Sequence, residues 1–203
     1  MNDGAFKERA NRLAVALASI SPRRRQLLES LDIEVVVVAS RYDEDAHHDD
    51  YDDPLELVLA HALGKAAQAD RAGPPLLVAA DTAVVIDGDI LGKPRDAAEA
   101  AAMLRRLSGR RHEVHTGFAV TDRAAGRAVS GVESTRVTFE PLDGAQIARY
   151  VATGEPMDKA GAYGIQGRGA LLVASIDGDF YTVMGLPLAR LGRAFASLGY
   201  ELL

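Results

Sequence analysis

The chain has 203 residues, of which 48% are hydrophobic and 26% charged, with a net charge of −6. That length suits one large domain or two lobes sharing a sheet, with enough apolar mass for a core, and the acidic balance speaks against a general nucleic-acid binder. Cysteine is absent, which excludes a disulfide framework, thiolate metal sites and thiol nucleophiles, and no apolar run reaches the roughly 18–20 residues that span a bilayer.

The polar start MNDGAFKERANR has no apolar leader core, so a cytoplasmic protein is expected. Leu13–Ala18 is a short apolar run suited to a buried strand. Ser21 stands where it can cap a helix with Pro22 at its first position, and Leu27, Leu28 and Leu31 would face the core. The β-branched run IEVVVVAS reads as a second strand. Residues 41–53 are acidic and read as a loop, after which Asp53 and Glu56 form a capping-box pattern for a helix to about Ala69. Gly73-Pro74-Pro75 breaks the chain before the strand-like LLVAADTAVVI, and Asp87-Gly88 signals a hairpin into DILGKP. Asp96 with Glu99 opens a further helix that ends near Gly109. HEVHTGFAVTD and AVSGVESTRVTFE read as paired strands, and Asp143–Thr153 as a helix closed by Gly154. A glycine-rich stretch, the strand ALLVASI, the turn Asp177-Gly178 and a last helix from Pro187 to about Leu198 complete the chain. Strands and helices alternate but hairpins interrupt them, which predicts an α/β fold around a mixed sheet flanked by helices.

Four segments carry candidate chemistry. Ser19-Ile20-Ser21-Pro22-Arg23-Arg24-Arg25 lies on a strand–turn–helix joint. Cations at a helix N-terminus are unfavourable by up to about 1 kcal/mol, so either these arginines reach acids elsewhere or an anion docks among them. Hydroxyls, free N–H groups and guanidinium forks together match a phosphate chain. Asp81, followed by Thr82, interrupts an apolar strand, which propensity and desolvation disfavour; a carboxylate there could hold Mg²⁺ or orient a water, or cap a neighbouring turn. Lys93, fixed between Gly92 and Pro94, could aim a point charge at a phosphate or stand solvated in a turn. Residues 155–169 interleave Asp158, Lys159, Tyr163 and Gln166 with glycines that permit close backbone approach to a ligand.

Other residues carry less. Glu44 is one carboxylate of the acidic loop that could serve a metal, whereas His47 and His48 lack helical ligand spacing. Lys65 by itself reads as an exposed helix residue, and His112 and His115 as packing or hydrogen-bonding groups. Clustered cations, isolated carboxylates and no covalent nucleophile suggest metal-assisted attack of water on a phosphoanhydride.

The motifs ASISPRR, AADT, LGKP, SGRRHEVHTG, EPMDKAGAYGIQG and VMGLPL, in this order, closely resemble the Maf family of nucleoside triphosphate pyrophosphatases. The resemblance runs from Leu13 to the C-terminus, leaving residues 1–12 as an extension and 13–203 as a single domain. It implies cleavage between the α- and β-phosphates, a divalent cation (Mg²⁺ or Mn²⁺), an elongated fold with two lobes around a deep cleft, and a homodimer. Residue by residue, it implies phosphate or substrate binding by Ser19, Arg23, Arg24, Lys65, Thr82 and Lys159. It also implies catalytic positions at Lys93 and Gln166, and a base or metal ligand at Asp81 with Glu44. The MDKAGAYGIQG form resembles the branch acting on dTTP and UTP, with a role in clearing non-standard nucleotides; the glycine-rich stretch would then wall the cleft over the nucleotide. Arg41-Tyr42-Asp43 departs from the family, whose members often carry more acids there. The alternatives are a purine-type pyrophosphatase and a nucleotide-sensing regulator of cell division.

Overall fold

A computed structural model describes residues 12–203, so the extension foreseen at residues 1–12 falls almost wholly outside the described residues. Seven strands form one mixed sheet: β1 (Ala14–Leu17), β2 (Glu34–Val37), β3 (Leu76–Ile86), β4 (Asp89–Leu91), β5 (Arg111–Asp122), β6 (Arg127–Phe139) and β7 (Val173–Asp177). Among the described residues, six α-helices flank it: α1 (Pro22–Glu29), α2 (Pro54–Ala67), α3 (Ala97–Leu107), α4 (Gly144–Val151), α5 (Phe180–Met184) and α6 (Leu188–Leu198). The strand order is β2-β1-β3-β5-β6-β7, parallel through β2, β1 and β3 and antiparallel from β3 onward. No helix among the described residues is long and apolar enough to cross a membrane.

Local chemistry explains the boundaries. Asp53, Asp96 and Asp143 each accept a backbone N–H at the start of α2, α3 and α4, satisfying donors that a helix N-terminus leaves without partners. Among the described residues the reciprocal capping box forms only at Asp143 and Gln146; the Glu99 carboxylate instead takes the N–H and guanidinium of Arg95. Ser21 occupies the N-cap of α1 without a side-chain bond. Helix α1 stops at Glu29, so Leu31 lies exposed in the following turn, contrary to its expected core position, and Ile33 is buried instead. The acidic loop holds a 3-10 turn, Asp45–Asp50, and the glycine-rich stretch is a series of 3-10 turns.

Strand period divides the core. On one face, Leu76, Val78 and Ala80 of β3 join Leu27 and Leu28 of α1 and Leu191, Phe195 and Leu198 of α6. Further along that face, Val84 and Ile86 join Leu104 and Leu107 of α3, Ile147 of α4, and Tyr163. On the reverse face, Leu77 and Ala79 pack with Ala16, Val38 and Ala69, and Ala83 and Val85 with Val58 of α2. Each fully buried leucine or phenylalanine contributes about 1.5–3 kcal/mol, so both ends of β3 are firmly held. Its burial breaks only at Asp81 and Thr82.

Candidate active site

That break coincides with a gap in the sheet. Strand β5 pairs with one edge of β3 from Leu76 to Val85. The other edge is shared: β1 takes Leu77 and Val78, while β4 takes Val84 to Ile86. Between them, Ala79–Ala83 has no strand neighbour on that side among the described residues. The chain leaves β1 through Ser19 into α1, and the register of β4 carries Gly92 and Lys93 back toward Ala83 and Thr82. The result is a notch with Asp81 and Thr82 as its floor. It lies at the carboxyl end of β1, where the crossovers to β2 and β3 diverge, the position at which open α/β sheets commonly bind ligands.

Asp81 faces α2. Helix α2 crosses β5 at Gly117, where an added Cβ would run into the Val58 carbonyl. This close approach lowers one face of α2 onto the sheet. His61 Nδ1 stands 3.0 Å from Asp81 Oδ2, and Lys65 Nζ donates to Asp81 Oδ1 at 2.8 Å and to the Ala80 carbonyl at 3.3 Å. Lys65 also pairs with Glu44 at 3.0 Å. The acidic loop is docked for this: Ser40 Oγ donates to the Lys65 carbonyl and the Arg41 N–H to that of Gln68. Lys65 is 6% exposed, so the expectation of an exposed helix lysine is corrected; its ammonium is aimed inward by two carboxylates. Burial pushes the Asp81 carboxyl up, but the His61 hydrogen bond and the Lys65 and Arg24 charges outweigh it and hold it well below the usual carboxylate range.

Thr82 faces the other way. Arg24, 9% exposed, donates to the Gly185 carbonyl at 2.7 Å, to Ser19 Oγ at 3.0 Å and to Thr82 Oγ1 at 3.0 Å. Thr82 meets Thr116 at 2.9 Å, and Thr116 donates to the Thr182 carbonyl. Burial lowers the Arg24 pKa, against the attraction of Asp81 and Glu44. Arg23 is oriented differently: it is partly exposed and pairs with Asp158 at 3.1 Å. The two adjacent arginines therefore differ, one built into the scaffold and one reaching the glycine-rich segment.

That segment spans both parts of the core, with Ala162 and Tyr163 in one cluster and Ile165 in the other. Gly161 N–H bonds to the Gly92 carbonyl beside Lys93. Glu155 accepts from Tyr150 Oη, Arg168 N–H and Gly169 N–H. Lys159 bonds to the Glu155 carbonyl and to Asp158. Much of the polarity thus holds the segment together.

The structure brings Ser19, Arg24, Thr82, Asp81, Lys65 and Glu44 into one neighbourhood, with Arg23 tied to Asp158 and Lys159 at its side. Lys93 and Gln166 are exposed and stand outside the bonded network. His47 pairs with Asp50 and not with the cluster, while the His48 side chain lies outside the described residues. His112 meets Tyr163 Oη at 2.8 Å and His115 meets Ser134 at 2.8 Å, both as hydrogen-bonding groups. Sequence reasoning missed His61. Its signal was available: Leu57, Val58, His61, Ala62 and Lys65 form the buried stripe of α2, and two of the five are polar.

The donor set fits a hard divalent cation. Glu44, His61 and Asp81 each offer one ligand atom within 4.8 Å of the others, and carboxylate oxygens with added phosphate oxygens suit such an ion. A separate hollow of about 250 Å³ near β6 and α6, lined by Phe118, Val129, Arg190 and Arg193, contains none of these residues.

The Maf-like protein family matches residues 14–198. A dTTP/UTP pyrophosphatase of Symbiobacterium thermophilum is 51% identical over 187 residues, covering 92% of this chain and 94% of the relative. Those of Moorella thermoacetica and Dictyoglomus turgidum are 50% and 43% identical, covering 92% and 95% of this chain and 96% and 100% of theirs. The chain belongs to the Maf-like protein family.

Proposed function

We infer that this chain is a nucleoside triphosphate pyrophosphatase that hydrolyses dTTP, UTP and modified pyrimidine triphosphates to the monophosphate and pyrophosphate. The observation that carries the reading is the notch, where a carboxylate pair and several cations gather at an opening in the sheet. Relatives bearing the name dTTP/UTP pyrophosphatase match it over nearly their whole length.

In this reading a water oxygen attacks the α-phosphorus, the bond from that phosphorus to the bridging oxygen breaks, and pyrophosphate leaves. Arg23 and Lys93 bind the phosphate chain, with Arg23 exchanging Asp158 for a phosphate oxygen. Ser19 and Thr82 are held by Arg24, which fixes the notch wall. Asp81 and Glu44 would hold a divalent cation, Mg²⁺ or Mn²⁺, once Lys65 releases them toward the phosphates. That ion supplies charge neutralisation and a more acidic water. With its oxygens turned to the cation, Asp81 orients and ligates. Gln166 and Lys159 line the glycine-rich wall of a cleft between two lobes. We read residues 13–203 as one domain acting in the cytoplasm as a homodimer; these points rest on the resemblance and on composition.

The test is a panel of triphosphates assayed in H₂¹⁸O with Mg²⁺ or Mn²⁺. The expected result is fastest turnover of dTTP or UTP, with label only in the monophosphate. Label in pyrophosphate, or faster turnover of a purine triphosphate, would overturn the reaction or the base preference respectively.

A further inference from the structure

We propose that His61 is a positioning residue for the reaction, fixing Asp81 by a hydrogen bond from its Nδ1–H. The inference rests on the functional reading above and adds a residue to it.

Asp81 has two oxygens, and two side chains one helical turn apart on α2 hold one each: Lys65 on Oδ1 and His61 on Oδ2. When Lys65 turns to the phosphates, as the functional reading has it, the His61 bond to Oδ2 stays to orient the carboxylate. Ionised Asp81 only accepts, so the proton of this bond belongs to Nδ1. The ring itself is 2% exposed. Tyr42 meets it edge-on, with ring centroids 5.6 Å apart. Tyr42 is seated in turn on Gly64, where any Cβ would enter its ring.

The other ring nitrogen decides between positioning and direct ligation. His61 Nε2 is buried without a hydrogen-bond partner among the described residues. A histidine that ligates a metal nearly always gives its second N–H to a carboxylate, carbonyl or water. If Nδ1 were the ligand, the proton would sit on Nε2, which meets no protein acceptor among the described residues. With the proton on Nδ1, Nε2 carries only a lone pair, which needs no acceptor. An orphaned buried polar atom is costly, and a leucine would avoid the cost; what the imidazole offers here in return is its Nδ1 bond to Asp81.

Two variants separate the roles. His61→Leu removes the donor but fills an apolar site. His61→Asn places an amide N–H where Nδ1–H stood. The wild type must first turn over dTTP or UTP; if it does not, the functional reading fails and not this one. Given that activity, His61→Leu is expected to lower kcat about 10- to 100-fold, the range typical for partners of a ligating group, with KM changed less than about threefold. His61→Asn is expected to recover most of that kcat. Wild-type kcat in His61→Leu, or His61→Asn as slow as His61→Leu, would overturn the proposal. Electron spin-echo of bound Mn²⁺ on protein labelled with ¹⁵N-histidine gives a readout apart from activity. No nitrogen coupling of ligand strength is expected, and such coupling would make His61 a ligand and overturn the positioning role.

Discussion

The floor of the notch and the glycine-rich segment are both polar, but they use polarity in opposite ways. At the floor, buried Lys65 and His61 hold Asp81 on one face of the sheet, and buried Arg24 holds Thr82 on the other. In residues 155–169, the backbone is packed while Asp158 and Gln166 remain outside, and Glu155 is spent on the segment's own N–H groups. The first arrangement gathers charged groups around one carboxylate; in the proposed function Lys65 then turns from it to the phosphates. The second shapes a wall. The difference teaches that flexible-looking composition can serve to hold a segment together, whereas one carboxylate in an apolar strand gathers charged partners from distant elements.

The comparison breaks if the floor tolerates change. Asp81→Asn keeps the shape but removes the charge that Lys65, His61 and Arg24 surround. Its kcat is expected to fall about 10²-fold or more, with circular dichroism showing a folded protein. Near-normal turnover would take Asp81 out of the mechanism.

The two arginines sharpen it. Arg24→Ala deletes three hydrogen bonds in a buried place and should cost about 3 kcal/mol or more. In a chain of this size that lowers Tm by roughly 6–12 °C. Arg23→Ala removes a partly exposed cation, whose surface pair is worth little to stability. Its Tm should move by no more than about 2 °C, while KM for the triphosphate rises about tenfold, near 1.4 kcal/mol. Equal effects in both assays would contradict the division of labour.

A pH-dependent effect lies behind the wall. Burial pushes His112 down from 6.5 to about 4. Between those values the unfolded chain binds a proton that the folded chain does not, so stability is full above pH 6.5 and falls as pH drops toward 4. The loss from this group is on the order of 3 kcal/mol at most. His115, also lowered by burial, adds to the slope. His112→Gln keeps a polar contact for Tyr163 and does not titrate, so urea unfolding at pH 5 and pH 7 should show a smaller difference than in the wild type. An unchanged difference would mean that His112 is not the group responsible.

Much of this was legible in the sequence. Element order followed from periodicity, caps and turn residues, and Asp81 stood out because a carboxylate is out of place in LLVAADTAVVI. What could not be read depends on pairs distant in the chain. Lys65 looks exposed until Glu44 and Asp81 arrive from two other elements. Arg24 cannot be told from Arg23 without Thr82 and Gly185. Leu31 was misplaced because the end of α1 is set by a turn, not by leucine spacing. The gap between β1 and β4 follows from strand registers, which no single segment encodes.

The most direct measurement is a crystal structure with Mn²⁺ and a non-hydrolysable dUTP analogue. The account predicts the metal about 2.1 Å from oxygens of Asp81 and Glu44, Lys65 swung toward the phosphates, and Arg23 parted from Asp158. A nucleotide seated elsewhere, with Lys65 still bound to both carboxylates, would contradict it.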